Sequence, residues 1–278
     1  MSEPSRFEAE IRAGQRFEFG RNWASFLEHL NEDRIQRAVG SLQSMLQVDR
    51  LDGRRFLDIG CGSGLFSLAA RRLGARVVSF DFDPQSVACA EELRRREFPD
   101  DPQWTIQRGS ALDEAFLASL GEFDVVYSWG VLHHTGRMWT GVDLACRRVA
   151  GEGTLFIALY NDQGWLSRFW LRVKQAYCAH PILRGLVLAV FVPYFALRTA
   201  LKSLLRGRNE FAAYFEERGM SITHDWVDWL GGLPFEVAGF DEVVQFCESR
   251  GFALVNSRST KRLGCNEFVF RRRPAGGG

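Results

Sequence analysis

From Arg54 to Tyr160 the chain alternates short apolar, β-branched runs with stretches whose apolar residues recur at helical spacing. The runs predict strands over Arg55–Ile59, Arg76–Phe80, Trp104–Arg108, Phe123–Ser128 and Thr154–Tyr160. The intervening stretches predict helices over Leu65–Leu73, Pro84–Arg96, Glu114–Ser119 and Trp139–Val149. Asp83 is placed to cap the second of these, with Pro84 in its first turn. Strand and helix in strict alternation describe a parallel sheet covered by helices on both faces.

Outside this core, Asn31–Gln47 reads as a helix capped by Asn31, and Asp241–Ser249 as a further helix. Two late runs, Phe252–Ser257 and Cys265–Arg271, predict an antiparallel hairpin. The expected fold is therefore α/β: a doubly wound, mostly parallel, seven-stranded sheet closed by a C-terminal antiparallel hairpin, with a helical insertion. Four parts are expected. Residues 1–50 form an N-terminal helical lid or cap, residues 51–163 and 237–273 the sheet domain, residues 164–236 the insertion, and residues 274–278 a disordered tail. Within the insertion, Trp226–Glu236 reads as a loop of aromatics and glycines that borders the substrate or closes the sheet edge.

Composition adds little until it is resolved along the chain. Of 278 residues, 46% are apolar and 25% charged, which excludes a disordered chain, and the formal net charge is only +1. Eight of the 35 basic residues, however, fall between Gly164 and Arg208, where there is no Asp or Glu; the remaining 27 face 34 acidic residues, a net of −7. The six cysteines show no CxxC pair or zinc spacing, so no metal site is expected. Scattered thiols and an N-terminus with no continuous apolar run suggest a cytoplasmic chain. The longest uncharged apolar stretch, Gly185–Leu197, is shorter than the roughly 18 to 20 residues of a spanning helix and contains Pro193, so no transmembrane segment is expected.

The sharpest motif is Phe56-Leu57-Asp58-Ile59-Gly60-Cys61-Gly62-Ser63-Gly64, an apolar strand entering a glycine loop that opens a helix. Asp81 follows at the end of the next strand, placed to accept both hydroxyls of a ribose. A dinucleotide or S-adenosylmethionine would use this arrangement. The dinucleotide pattern needs a third glycine where Leu65 stands, and Asp58 would repel a pyrophosphate while suiting the ammonium of a methionine moiety. Together with Val78-Ser79-Phe80-Asp81, the string resembles the first two motifs of the class I S-adenosylmethionine-dependent methyltransferases. The similarity extends through Gly109-Ser110-Ala111-Leu112-Asp113 and Phe123 to His134, segments that resemble those of the ubiquinone and menaquinone pathway methyltransferases. It implies that Ser110, Ala111 and Leu112 edge an adenine, although many relatives carry Asp where this chain has Ser110. Cys61, Phe82 and Trp129 join the candidate cofactor contacts, as does Trp23 from the aromatic segment Phe17–Trp23, which reads either as a lid over the cofactor or as packing under the sheet.

Methyl transfer to an OH needs an aligned nucleophile and a proton acceptor. His133 and His134, at the carboxyl end of the fourth strand, are candidate bases, and one of them could instead only fix the loop. Tyr160 and Asn161, at the end of the fifth, could position a substrate, with a turn role for Asn161-Asp162 equally open. His224-Asp225 is a third candidate pair. The [Asn/Asp]-Pro-Pro-[Tyr/Phe] loop of methyltransferases acting on amide or exocyclic nitrogens is absent, since Ser128-Trp129-Gly130-Val131 occupies its place, which favours oxygen. The expected acceptor is a small or lipid-linked hydroxyl compound; an RNA methyltransferase using the basic insertion, or a non-catalytic scaffold of the same fold, are the alternatives. Arg198, Lys202 and Arg206 fall at i, i+4, i+8, with Tyr194, Leu197, Leu201, Leu204 and Leu205 opposite. That helix is either a soluble lid or a peripheral contact with an anionic membrane, on its inner face if the chain is cytoplasmic. Nucleic acid is not the expected partner.

Overall fold

In a computed structural model, residues 9–11, 13, 27, 29–210 and 222–274 are described. They fall into two compact units, one containing residues 164–234 and the other residues 31–163 and 235–278. Trp23, the rest of the segment Phe17–Trp23, and tail residues 275–278 lie outside the described residues.

The larger unit is built on one seven-stranded sheet in the order β3-β2-β1-β4-β5-β7-β6. The strands are β1 (Arg55–Ile59), β2 (Arg76–Asp81), β3 (Trp104–Arg108), β4 (Phe123–Trp129), β5 (Val149–Tyr160), β6 (Phe252–Arg258) and β7 (Cys265–Arg272). The first five pair in parallel, while β7 runs antiparallel to both β5 and β6. The expected sheet is thus the observed one. Its strand order reverses between β1 and β4, the place where an open α/β sheet leaves a crevice beyond its carboxyl edge.

Helix boundaries follow from local chemistry. α1 (Glu32–Leu46) starts where Asn31 Oδ1 accepts the Arg34 amide. α2 (Leu65–Arg72) opens directly from Gly64 in the left-handed region, φ 81°. α3 (Pro84–Glu97) has Asp83 accepting from Gln85 N at 2.8 Å and proline in its first turn, as expected. α4 (Glu114–Ser119) is capped by Asp113, which accepts from Phe116 N. α5 (Met138–Arg147) ends two residues early, because the following strand already begins at Val149, paired with Phe123, and shifts register before Val125. A 3-10 turn, Leu132–His134, lies between β4 and α5. On one sheet face Leu57, Val126, Leu155 and Phe268 meet the buried residues of α5. Elsewhere in the core the Tyr127 ring lies 5.7 Å from Phe56 and 5.1 Å from Phe156.

The smaller unit contains α6 (Trp165–Ala179), α7 (Pro181–Arg206) and α8 (Ile222–Gly231). Trp170, Tyr177 and Leu230 form its buried core, against which Leu188, Phe191, Phe195 and Trp229 pack. Two expectations are corrected here, and one cation of the basic segment lies inside. Trp226–Gly231 is helix rather than loop, because Trp226, Trp229 and Leu230 recur at helical spacing and face the other two helices of the unit. Pro193 does not break α7: the helix runs on for 26 residues and forgoes the single bond a proline cannot donate to Ala189. Unbroken, α7 is long and apolar enough to cross a membrane by length and composition. Lys174 is one of the eight basic residues between Gly164 and Arg208. It is buried, its amine donates to the Trp229 carbonyl and sits 4.2 Å from the centre of the Trp229 ring, and burial lowers it to about 7.

α9 (Phe240–Glu248) returns the chain to the sheet domain, where Val243 and Cys247 are buried.

Candidate cofactor and active site

The glycine loop lies at the carboxyl end of β1, beside the point where the strand order reverses. Gly60, Gly62 and Gly64 all have positive φ, at 75°, 54° and 81°. At Gly60 space is as tight as backbone angle: a Cβ there would lie 2.4 Å from Val131 Cγ1. The loops following β1 and β4 therefore touch, and only a glycine permits it. The amides of Gly60 and Cys61 both donate to Phe80 O, at 2.9 and 3.0 Å, which ties the loop to β2.

Two carboxylates flank this loop. Asp58, on β1, is buried and accepts from Ser67 Oγ at 2.5 Å through Oδ2. Ser67 in turn lies 2.7 Å from Ser79 Oγ, which accepts from Trp104 Nε1 at 2.8 Å. An indole nitrogen can only donate, so the protons point along the series Trp104, Ser79, Ser67, Asp58. Among the described residues Ser67 alone donates to Asp58, so the Oδ1 atom remains for a ligand. Burial pushes the Asp58 carboxyl up to about 7, against the Ser67 bond that lowers it. Asp81, at the tip of β2, accepts from Gly62 N through Oδ2 and from Asp83 N through Oδ1, both at 2.9 Å. Enclosure under the loop raises it to about 6, with those amides working in the opposite direction. Cys61 is buried, and burial, with the charges of Asp81 and Asp58 adding to it, drives its thiol well above the usual range.

The remaining candidate cofactor residues occupy the neighbouring carboxyl edges. Phe82 follows Asp81 and is half-buried. Ser110 Oγ accepts from Leu112 N at 3.2 Å, shaping the turn after β3, in which Ala111 is buried. Trp129, at the end of β4, is exposed and its indole donates to Glu267 on β7 at 3.2 Å.

The two histidines differ in surroundings. His133 is fully buried, its ring centroid 3.8 Å from that of Tyr160. His134 is half-buried, 4.5 Å from His133 and edge-on to Tyr160 at 5.3 Å. Phe235 completes the cluster, 5.4 Å from Tyr160. A proton acceptor has to reach its substrate, and of the two rings His134 is the more exposed.

Asn161 takes the turn role that its sequence left open. Its Nδ2 donates to Thr260 O at 2.8 Å and its Oδ1 accepts from Asn266 Nδ2 at 3.1 Å, so its amide clamps the end of β5 to the β6–β7 connection. The side chains of His224 and Asp225 lie outside the described residues. Sequence reasoning passed over Ser67, Ser79 and Trp104, whose small or apolar character reads as ordinary core. It also passed over Glu236 as a single residue: its carboxylate accepts Met138 N at 3.0 and 3.1 Å and its amide donates to His133 O at 3.0 Å, fixing the turn that carries the histidines. Among the described residues no cluster of His, Cys, Asp and Glu could hold a metal ion.

Comparison with known proteins agrees with this geometry. Residues 57–156 match a family described as a methyltransferase domain. The chain is 35% identical over 106 residues to a ubiquinone biosynthesis O-methyltransferase of Cereibacter sphaeroides, covering 38% of this chain and 40% of that protein. It is 40% identical over 88 residues to a tRNA U34 carboxymethyltransferase of Alcanivorax borkumensis, covering 31% and 26%. The matches thus span well under two thirds of these relatives' lengths. Among solved structures, a magnesium protoporphyrin IX methyltransferase from Synechocystis shares the fold with a TM-score of 0.52 at 14% identity, over 86% of this chain and 81% of that one. Residues 57–156 thus carry a methyltransferase domain, and the sheet order and the glycine loop with its two carboxylates support the class I S-adenosylmethionine-dependent type.

Proposed function

We propose that the chain transfers a methyl group from S-adenosylmethionine to a hydroxyl oxygen of a small or lipid-linked acceptor. The observation that carries this reading is the pair of oriented carboxylates beside the loop, with His134 on the adjoining strand end. Bound there, the cofactor supplies an electrophilic methyl group on a positively charged sulfur, which leaves as a neutral thioether. Asp58 Oδ1 receives the ammonium of the methionine moiety, and Asp81 accepts from the ribose hydroxyls. His134 accepts the acceptor's hydroxyl proton as the oxygen takes the methyl group, so the new C–O bond and the broken C–S bond balance. Positioning and proton removal are all the chain has to provide for such an in-line displacement.

Oxygen as the nucleophile is supported by Ser128-Trp129-Gly130-Val131 in place of an amide-nitrogen loop, and by the kinship with an O-methyltransferase. The tRNA-modifying relative favours RNA as a second reading. Against it, the basic segment is less available than its composition implies, since Lys174 is buried and Lys202, Arg206 and Arg208 converge on Glu210. Calorimetry with S-adenosylmethionine and its demethylated product tests the cofactor site; failure to bind either overturns the reading. Mass spectrometry of extracts incubated with isotopically labelled cofactor identifies the acceptor. Tight RNA binding that falls steeply with salt would instead promote the second reading.

A further inference from the structure

We infer that α7 is a membrane-docking helix that lies in the plane of an anionic bilayer surface. Leu186, Val190, Tyr194, Leu197, Leu201 and Leu204 are 51–79% exposed. Their spacing of three and four residues puts them on a single ridge, and that ridge runs the length of the helix. The opposite face is already occupied: Phe191 lies 5.3 Å from Trp170 of α6, and Phe195 lies 5.7 Å from Trp226 of α8. The ridge is therefore a second apolar face, in excess of the one that holds the three helices together.

Soluble proteins seldom leave so long an apolar surface open unless it meets a partner. Charge identifies the partner as an anionic surface. Not one acidic residue falls between Gly164 and Arg208. Arg168, Arg172 and Arg198 are exposed and make no ion pair among the described residues. Just beyond the segment, Glu210 is buried against Lys202 at 2.5 Å and Arg208 at 2.7 Å, so it neutralises the far end of the helix. A protein partner or a second copy would satisfy the ridge as well, but nothing in either possibility accounts for a segment purged of carboxylates. An anionic leaflet accounts for both.

Although α7 as a whole is long and apolar enough to cross a membrane, lying on the bilayer follows from its short uncharged run and from packing. The uncharged run Gly185–Leu197 reaches only about 20 Å at helical rise, against a hydrocarbon core of about 30 Å. The inner face, moreover, is committed to α6 and α8. The inference does not depend on the acceptor, although a docked α7 would suit an acceptor dissolved in the same membrane.

The full chain should float with vesicles containing about 30% phosphatidylglycerol and bind at least about tenfold less to phosphatidylcholine alone, with release by high salt. V190E/L197E, which alters only exposed positions, should lose flotation while keeping its circular dichroism and its S-adenosylmethionine affinity. R168E/R172E/R198E should lose the preference for anionic lipid. Wild type remaining unbound at low salt overturns the inference, as does undiminished flotation of V190E/L197E. A dimer in solution that V190E/L197E dissociates, without flotation of wild type, would assign the ridge to a second copy. Retention through combined high-salt and alkaline washing would overturn the in-plane placement. Cofactor affinity is read in the same preparations, so failure here is distinct from failure of the methyltransferase reading.

Discussion

Ser67 Oγ sits 2.5 Å from Asp58 Oδ2, at the end of a buried series of donors that begins at the Trp104 indole. The contact orients one carboxylate oxygen inward and leaves the other for a cationic ligand. It also opposes, without cancelling, the burial that holds the group near 7. Removing the hydroxyl in Ser67→Ala leaves a buried acceptor without its donor and should destabilise the fold by about 1 to 3 kcal/mol, measured by urea unfolding.

Asp58 also makes the protein respond to pH. Its folded value of about 7 lies above the ordinary carboxylate range, so the folded chain holds a proton that the unfolded chain has released. Stability from this group is fully present below about pH 4 and is lost as pH rises through about 7. Asp58→Asn keeps an oxygen for Ser67 and removes that loss, so the variant should gain stability relative to wild type between pH 5 and pH 8. Cofactor affinity should move the other way, rising through about pH 7 in wild type as the carboxylate ionises and staying weak and flat in the variant. Parallel pH dependence in the two proteins would exclude Asp58 as the ammonium contact.

Asp81 should be worth more to binding than to folding. Its two oxygens are aimed by Gly62 N and Asp83 N, and Asp81→Ala removes a charged acceptor from the ribose site. Calorimetry should show a loss of about 1.5 to 3 kcal/mol in affinity for S-adenosylmethionine. Unchanged affinity would place the ribose elsewhere.

Gly60→Ala combines a left-handed backbone with a clash against Val131, 2.4 Å from the new Cβ. A cost of about 1 to 3 kcal/mol is expected from the backbone alone. Adding Val131→Ala should recover the steric share and leave the backbone share. A double variant no more stable than Gly60→Ala would show that the β1 and β4 loops do not press together.

The histidines should separate by assay. His134→Gln is expected to lower the transfer rate about 100-fold or more with an unchanged melting temperature. His133→Ala, which empties a buried site against Tyr160, should lower stability first. The reverse pattern would exchange their roles.

Lys174→Met offers a pH signal of opposite sign to that of Asp58. Burial lowers the amine to about 7, so its contribution to stability rises with pH between about 7 and about 10 and is lost as pH falls through 7. Denaturation midpoints of wild type should climb relative to the variant across that window. Equal slopes would mean the amine reaches solvent.

The alternation of β runs with amphipathic stretches, the glycine loop and Asp81 determined the sheet, its helices and the cofactor edge, because each rests on chemistry within a few residues of chain. Asp83 before Pro84, and Gly64 before α2, are local devices of that kind, and both stand in the structure as expected. The differences begin where a residue's neighbours come from distant sequence. Asn161 read equally as a substrate group or a turn residue until Thr260 and Asn266 were brought to its amide, and His133 and His134 were indistinguishable until packing buried His133. Lys174 counts among the basic residues of its segment, and only the fold shows that α8 supplies the Trp229 carbonyl and ring to it. In α7, sequence showed an amphipathic helix but not which of two apolar faces would be covered. Tertiary packing decided it: α6 and α8 fill the face bearing Phe191 and Phe195, and the ridge from Leu186 to Leu204 stays exposed. Hydrophobic burial is non-directional, so periodicity alone names an apolar face without naming its partner.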